Sequence, residues 1–217
     1  SFKINNKIKQ IAIPKKLNEK IIFNCYSANT NLLENHKMEV NEDFKTLLFI
    51  GRFDKVKGID ILLNVFTDYI NETQSKLKLK LIGGGLEMDL VKKYESESII
   101  VKEFVQPEFL IEEVKDVQGF ILPSISEPWG VVIHEMAAAG LPLLVSDVCG
   151  ANSVFAIHNY NSFIFKANDE IELRNAIEKF DSTSNSELIK MGKRSKVLSK
   201  KINPEISAAS LMSIKLK

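Results

Sequence analysis

Short apolar runs recur along the chain, each closed by a glycine, a proline or a polar turn. TLLFIG (46–51) comes first, and after the polar loop RFDKVKG the residues Ile59, Leu62, Leu63 and Phe66 fall on one face of a helix. LKLKLIG (77–83) precedes a helical stretch near 86–95, and IIVKEF (99–104) precedes one near 107–116. GFILPS (119–124) leads into a third at about 130–139, after which PLLVSD (142–147) restores the strand pattern. SFIF (162–165) adds a strand, and DEIELRNAIEKF (169–180) a covering helix with Asn168 or Asp169 at its N-cap. Neighbouring parallel strands need crossover connections, so strands alternating with helices predict a parallel sheet covered on both faces. The expected fold class is α/β, a doubly wound Rossmann-like sheet.

The two ends depart from this rhythm. Residues 1–45 are polar and asparagine-rich, with one apolar run, KIIFNCY (20–26), and resemble an entry from something upstream. Residues 184–217 have no strand pattern and predict two extra C-terminal helices, the second opened by Pro204. The expected boundaries are therefore a linker over 1–40, the α/β domain over 41–182, and C-terminal helices over 183–217. A first residue that is Ser rather than Met suggests either a tag remnant or a fragment excised from a longer protein.

Composition narrows the possible partners. The 217 residues are 45% hydrophobic and 26% charged, ordinary for a folded domain and enough for a sizeable core. A net charge of +1 supplies no global field to collect nucleic acid or an anionic membrane, so any bound anion must be caught locally. Cys25 and Cys149 lie far apart without metal-ligand spacing and suggest reduced thiols in a cytoplasmic protein. No apolar run approaches the ~18 residues of a membrane-spanning helix.

In open parallel sheets ligands bind beyond the carboxyl ends of the strands, which directs attention to the loops there. The loop after the first strand, GRFDKVKG, offers Gly51, Arg52 and Lys57 next to a helix N-terminus, a combination suited to phosphate, although basic residues are also common in solvated loops. Gly83, Gly84 and Gly85 end the second strand, where turn geometry explains them equally well. SEPWGVVIHEMAAAG (126–140) is more specific. Pro128 holds Glu127 in an extended loop before a helix that begins near Gly130, and Glu135 follows one to two turns into that helix. The flanking residues are apolar nearly all round, so Glu135 would be largely buried and in need of a partner. His134 and Trp129 suit packing better than chemistry. Two carboxylates repel a diphosphate but accept hydrogen bonds from hydroxyls, while two cations do the reverse. A ligand with both a diphosphate and polyols, a nucleotide sugar, meets both demands.

In the order GRFDKVKG, LIGGG, FVQPEFL, LPSISEPWGVVIHEMAAAGLPLLVSD, these loops resemble the retaining glycosyltransferases of family 4, with Glu127 and Glu135 as the Glu-x7-Glu pair. The resemblance implies that residues 20–216 form the C-terminal, donor-binding half of a two-domain GT-B fold. It implies that Arg52 and Lys57 hold the donor diphosphate and stabilise the leaving group, with backbone donors from Gly130 and Val131. Glu127 would hold hydroxyls of the donor sugar, Glu135 the ribose, and the backbone near Val105 the base. Arg52, Lys57 and Glu127 would be the catalytic residues, and Gly51, Val105, Gly130, Val131 and Glu135 the donor-binding ones. It further implies no cofactor and no metal, in keeping with a chain that has no Asp-x-Asp pair. The substrate would be a UDP-, GDP- or ADP-sugar. The partner would be a missing N-terminal acceptor-binding domain, through which the enzyme could touch a membrane peripherally, and the isolated chain would be inactive. GGGL stands where the family commonly has a GDGP-like turn, and CGA (149–151) where it commonly has a glycine pair. EPWG variants of the family often act in surface polysaccharide synthesis.

Other readings carry less. A non-catalytic nucleotide-sugar-binding module, completed by a partner chain, would show the same loops. A dinucleotide dehydrogenase lacks its GxGxxG fingerprint here, and a glycosidase with paired carboxylates has no need of Arg52 and Lys57.

Overall fold

A computed structural model of the chain describes Ala28, Thr30, Asn31 and residues 33–212. The KIIFNCY run, Cys25, most of the expected linker and residues 213–217 lie outside the described residues. Six parallel strands form one sheet: β1 (Thr46–Arg52), β2 (Lys78–Gly84), β3 (Ile99–Lys102), β4 (Gly119–Leu122), β5 (Leu143–Ser146) and β6 (Ser162–Phe165). Their order is β3-β2-β1-β4-β5-β6. The chain winds outward from β1 in one direction, then returns to start β4 on its other side, so a crevice opens between the loops that follow β1 and β4.

Helices α1 (Ile59–Thr73), α2 (Met88–Lys93), α3 (Leu110–Glu113), α4 (Val131–Ala139), α5 (Asn152–Phe155), α6 (Glu170–Ser182), α7 (Asn185–Ser199) and α8 (Pro204–Met212) fill the connections and the C-terminal end. Helix α1 packs against α2 and α6, whereas α4 packs against α5 and α7, giving one layer for each face of the sheet. Asp169, not Asn168, caps α6 by accepting from the Glu172 N–H. The stretch expected as a helix over 107–116 is instead a 3-10 turn at Pro107–Phe109 followed by the single turn of α3. Turn α5 was not legible in the sequence.

The central strands β4 and β5 are buried at every position, as a strand covered on both faces requires. Strand β2 alternates Lys with Leu, and both lysines find partners. Lys78 lies over the Phe44 ring at 4.1 Å, and the buried Lys80 ammonium reaches Glu113 at 2.9 Å and Asp116 at 3.1 Å. Burial pushes the Glu113 carboxyl up, but hydrogen bonds from Lys102 and Lys80 outweigh it and hold it below the usual range.

Gly58 ends the loop after β1 and starts α1 at φ 68°, and a Cβ there would stand 2.3 Å from the Pro123 carbonyl oxygen. Both the left-handed conformation and the contact exclude larger residues. Gly58→Ala is expected to cost about 2 kcal/mol or more, a fall in melting temperature of roughly 5 °C for a domain of this size. Thermal denaturation checks this, and an unchanged midpoint would contradict the close packing of the two loops.

Candidate functional site

Four strand-end loops are tied to one another by backbone hydrogen bonds. The Phe53 N–H donates to the Gly84 carbonyl at 2.9 Å and the Glu87 N–H to the Phe53 carbonyl at 2.9 Å, joining the loops after β1 and β2. The Ile125 N–H donates to the Val56 carbonyl at 2.8 Å, joining the loops after β1 and β4. Gly150 and Ala151 donate to the Glu127 and Trp129 carbonyls at 3.2 and 2.9 Å, joining the loops after β4 and β5. A site built on these loops is held before any ligand arrives.

Within the first loop, Asp54 accepts from the Lys57 N–H at 2.9 Å and so sets the 3-10 turn Lys55–Lys57. That turn aims the Lys57 side chain across the crevice, where its ammonium forms an ion pair and hydrogen bond with Glu127. The two side chains are only 19% and 10% exposed, so the pair is far better shielded from water than a surface salt bridge. Arg52, at the end of β1, is the opposite case: it reaches Asp54 at 3.2 Å with its side chain 75% exposed, free to swing toward a ligand.

Gly130, at φ 89°, turns the chain into α4 and, as its N-cap, offers no side-chain hydrogen bond to the helix start. Its first N–H groups, including those of Val131, are therefore open to an anion beside Glu127. Further along α4, Glu135 borders a cavity of about 480 Å³ with Gly51, Arg52, Gly83, Gly84, Phe104 and Val105 among its lining. Among the described residues no group hydrogen-bonds to the Glu135 carboxylate, and burial alone pushes its pKa up. A half-buried carboxylate without a partner destabilises a fold, and such groups concentrate where a ligand supplies the partner.

The structure thus brings Gly51, Arg52, Val105 and Glu135 to one cavity, and joins Lys57 to Glu127 next to the start of α4. Phe104, Pro107 and Leu110, all within the loop FVQPEFL, give the cavity an apolar wall, a role not assigned to them from the sequence. His134 packs: it stacks on Phe155 at 4.2 Å, accepts from the Ala28 N–H at 3.1 Å through Nδ1 and donates to the Ser199 carbonyl at 2.9 Å through Nε2. Burial lowers its pKa and keeps it neutral, as both bonds require. Trp129 is buried with its edge toward Phe155. Burial also pushes the Cys149 thiol up to about 12, which makes it inert. Among the described residues no group of three His, Cys, Asp or Glu is placed to hold a metal ion, and no helix is long and apolar enough to cross a membrane.

The fold is that of a doubly wound α/β domain, and residues 31–201 match the family described as Glycosyl transferases group 1. The chain belongs to that family. An uncharacterised glycosyltransferase of Methanocaldococcus jannaschii is 30% identical over 182 residues, which cover 79% of this chain and 48% of the relative. Among solved structures, S. aureus TarM in complex with Fondaparinux, alpha-GlcNAc-glycerol and UDP superposes with a TM-score of 0.79 at 14% identity, covering 95% of this chain and 41% of TarM. The lipopolysaccharide outer core galactosyltransferase WaaB gives 0.76 at 14% identity, covering 96% of this chain and 58% of WaaB. These likenesses establish a Rossmann-like α/β fold of the GT-B kind, and the chain spans less than half the length of the curated relatives it matches.

Because the Glu135 pKa is raised on folding, the unfolded chain loses that proton first as pH rises above the ordinary value of 4.5, and stability falls until the folded carboxyl has also ionised. Glu135→Gln is therefore expected to raise the melting temperature at neutral pH, with the difference vanishing below the ordinary value. A variant that melts lower than the parent at neutral pH would show that the carboxylate has a protein partner.

Proposed function

We propose that the protein transfers a sugar from a nucleoside-diphosphate sugar to an acceptor hydroxyl with retention of anomeric configuration, and that this chain holds the donor. The observation that carries the reading is the convergence near the β1/β4 switch point: the cations Arg52 and Lys57, the start of α4, Glu127 paired with Lys57, and Glu135 bordering a cavity of about 480 Å³ that Arg52 also lines. Family membership and the UDP in the TarM complex support it.

Lys57, Arg52 and the N–H groups of Gly130 and Val131 bind the diphosphate. Glu127 accepts hydrogen bonds from donor-sugar hydroxyls, Glu135 from the ribose, and the base lies along Phe104 and Val105. In the transfer step the bond from the anomeric carbon to the diphosphate oxygen breaks, and its electron pair leaves on the diphosphate. The charge that develops there is met by Lys57, Arg52 and the helix N-terminus, preorganised donors of the kind that dominate such barriers. The acceptor oxygen attaches on the same face, and its proton passes to the departing phosphate oxygen. No cofactor takes part, and no metal is required where two cations and a helix terminus meet the charge. The donor-binding half works with an acceptor-binding domain of the GT-B type, which chooses the acceptor. WaaB, a lipopolysaccharide enzyme, favours surface polysaccharide as the product class. The compartment is cytoplasmic, where nucleotide sugars are made.

Two measurements test this. At saturating UDP, GDP or ADP, one of the three is expected to raise the melting temperature by several degrees, since ligand at a hundredfold its Kd stabilises by about 2.7 kcal/mol. In the intact protein Lys57→Ala is expected to lower turnover by about 10²–10³-fold, with a smaller loss for the exposed Arg52→Ala. Binding without turnover in any acceptor screen would favour a non-catalytic donor-binding module, and no response to any nucleotide would remove the reading.

A further inference from the structure

The Lys57–Glu127 ion pair joins the group assigned to the diphosphate to the group assigned to the sugar, and the two tasks compete. A shielded ammonium already neutralised by a carboxylate attracts a phosphate less than a free one does, and the carboxylate itself repels the incoming anion. We infer that Glu127 tunes release of the leaving group: it weakens the hold on the free nucleoside diphosphate and lets that hold strengthen only while a sugar occupies it. The inference rests on the donor-site reading above.

The cycle follows from the geometry. In the empty site Glu127 holds Lys57 across the crevice, between loops fixed by the Ile125–Val56 and Gly150–Glu127 backbone bonds, so neither partner drifts away. When a donor binds, hydroxyls of its sugar donate to the Glu127 carboxylate and compete for the lone pairs that Lys57 used. The ammonium then turns its donors to the diphosphate. After transfer the sugar leaves on the acceptor, the Glu127 oxygens are vacated, and the carboxylate draws Lys57 back from the remaining nucleoside diphosphate. Coupling of this kind is reciprocal: the sugar strengthens the grip on the diphosphate by the factor with which the diphosphate strengthens the grip on the sugar. Arg52 has no such role, because its partner Asp54 lies in its own loop and the guanidinium is largely in water.

A purely structural or sugar-binding Glu127 would leave affinity for the bare nucleotide unchanged or weakened when altered. Competition for Lys57 predicts the opposite. Calorimetric titration of the intact protein with UDP, GDP and ADP identifies the nucleotide that binds. For that nucleotide, Glu127→Gln is expected to bind on the order of tenfold more tightly than the parent, because one negative charge has been removed next to the anion while the hydrogen bond to Lys57 is kept. Glu127→Ala should move in the same direction, which guards against a defect peculiar to either variant. In a Lys57→Ala background only the direct repulsion between Glu127 and the anion is left, so Glu127→Gln should tighten binding less than it does in the parent, and an equal or larger gain there would assign the effect to repulsion alone and overturn the inference. Steady-state inhibition by the product nucleotide provides a second readout, and its inhibition constant should fall in Glu127→Gln by a similar factor. Unchanged or weaker nucleotide binding in both Glu127 variants overturns the inference and leaves the donor site standing. Failure of all three nucleotides to bind the parent overturns the donor site and the inference together.

Discussion

The Lys57–Glu127 ion pair lies where the sheet changes winding direction, and the local structure around it exists to hold the two residues apart in sequence and together in space. They are 70 positions distant along the chain and belong to the loops after β1 and β4, neighbours only because the strand order reverses between them. Asp54 shapes the turn that presents Lys57, and Pro128 and Gly130 shape the one that presents Glu127. A shielded pair of this kind contributes little net stability by itself, because desolvation offsets much of the attraction. Its placement at the ligand-binding end of the sheet is what gives it meaning.

Around that pair the molecule separates rigidity from reactivity. Central strands buried on both faces, and loops tied by backbone hydrogen bonds, leave the scaffold little freedom to adjust. Near the crevice the polar groups are held less completely: Glu135 has no hydrogen-bond partner among the described residues, and Arg52 keeps only the Asp54 ion pair with its side chain largely in water. His134 and Cys149, which are reactive residue types in other settings, are silenced by burial and neighbours. The result is a cavity with an apolar wall, bordered by Arg52 and Glu135, next to a shielded Lys57–Glu127 pair.

Much of the fold was legible because apolar runs of strand length and helical spacing are local signals. All six strands fall where TLLFIG, LKLKLIG, IIVKEF, GFILPS, PLLVSD and SFIF place them. The stretch at 107–116 misled because Pro107 and a run of acidic and apolar residues suit a helix start, whereas the chain forms only a 3-10 turn and a single helical turn there. Turn α5 carries no periodicity to detect in four residues. Candidate site residues could be named one by one from their loops, but the contact between Lys57 and Glu127 could not, since nothing in a linear sequence reports which two strand-end loops become neighbours. The apolar wall of Phe104, Pro107 and Leu110 was hidden for a related reason: exposed apolar residues in a loop acquire a role only when a cavity is seen beside them.

The most direct test of the account is a structure of the protein with its nucleoside diphosphate bound. It predicts the diphosphate at the start of α4 within hydrogen-bonding distance of the Lys57 ammonium, the ribose hydroxyls on Glu135 and the base along Phe104 and Val105. A nucleotide seated elsewhere contradicts it, for instance in the polar cavity at the opposite end of the sheet lined by Lys45, Lys76 and Asn185. So does one bound at the crevice with Glu135 still unengaged.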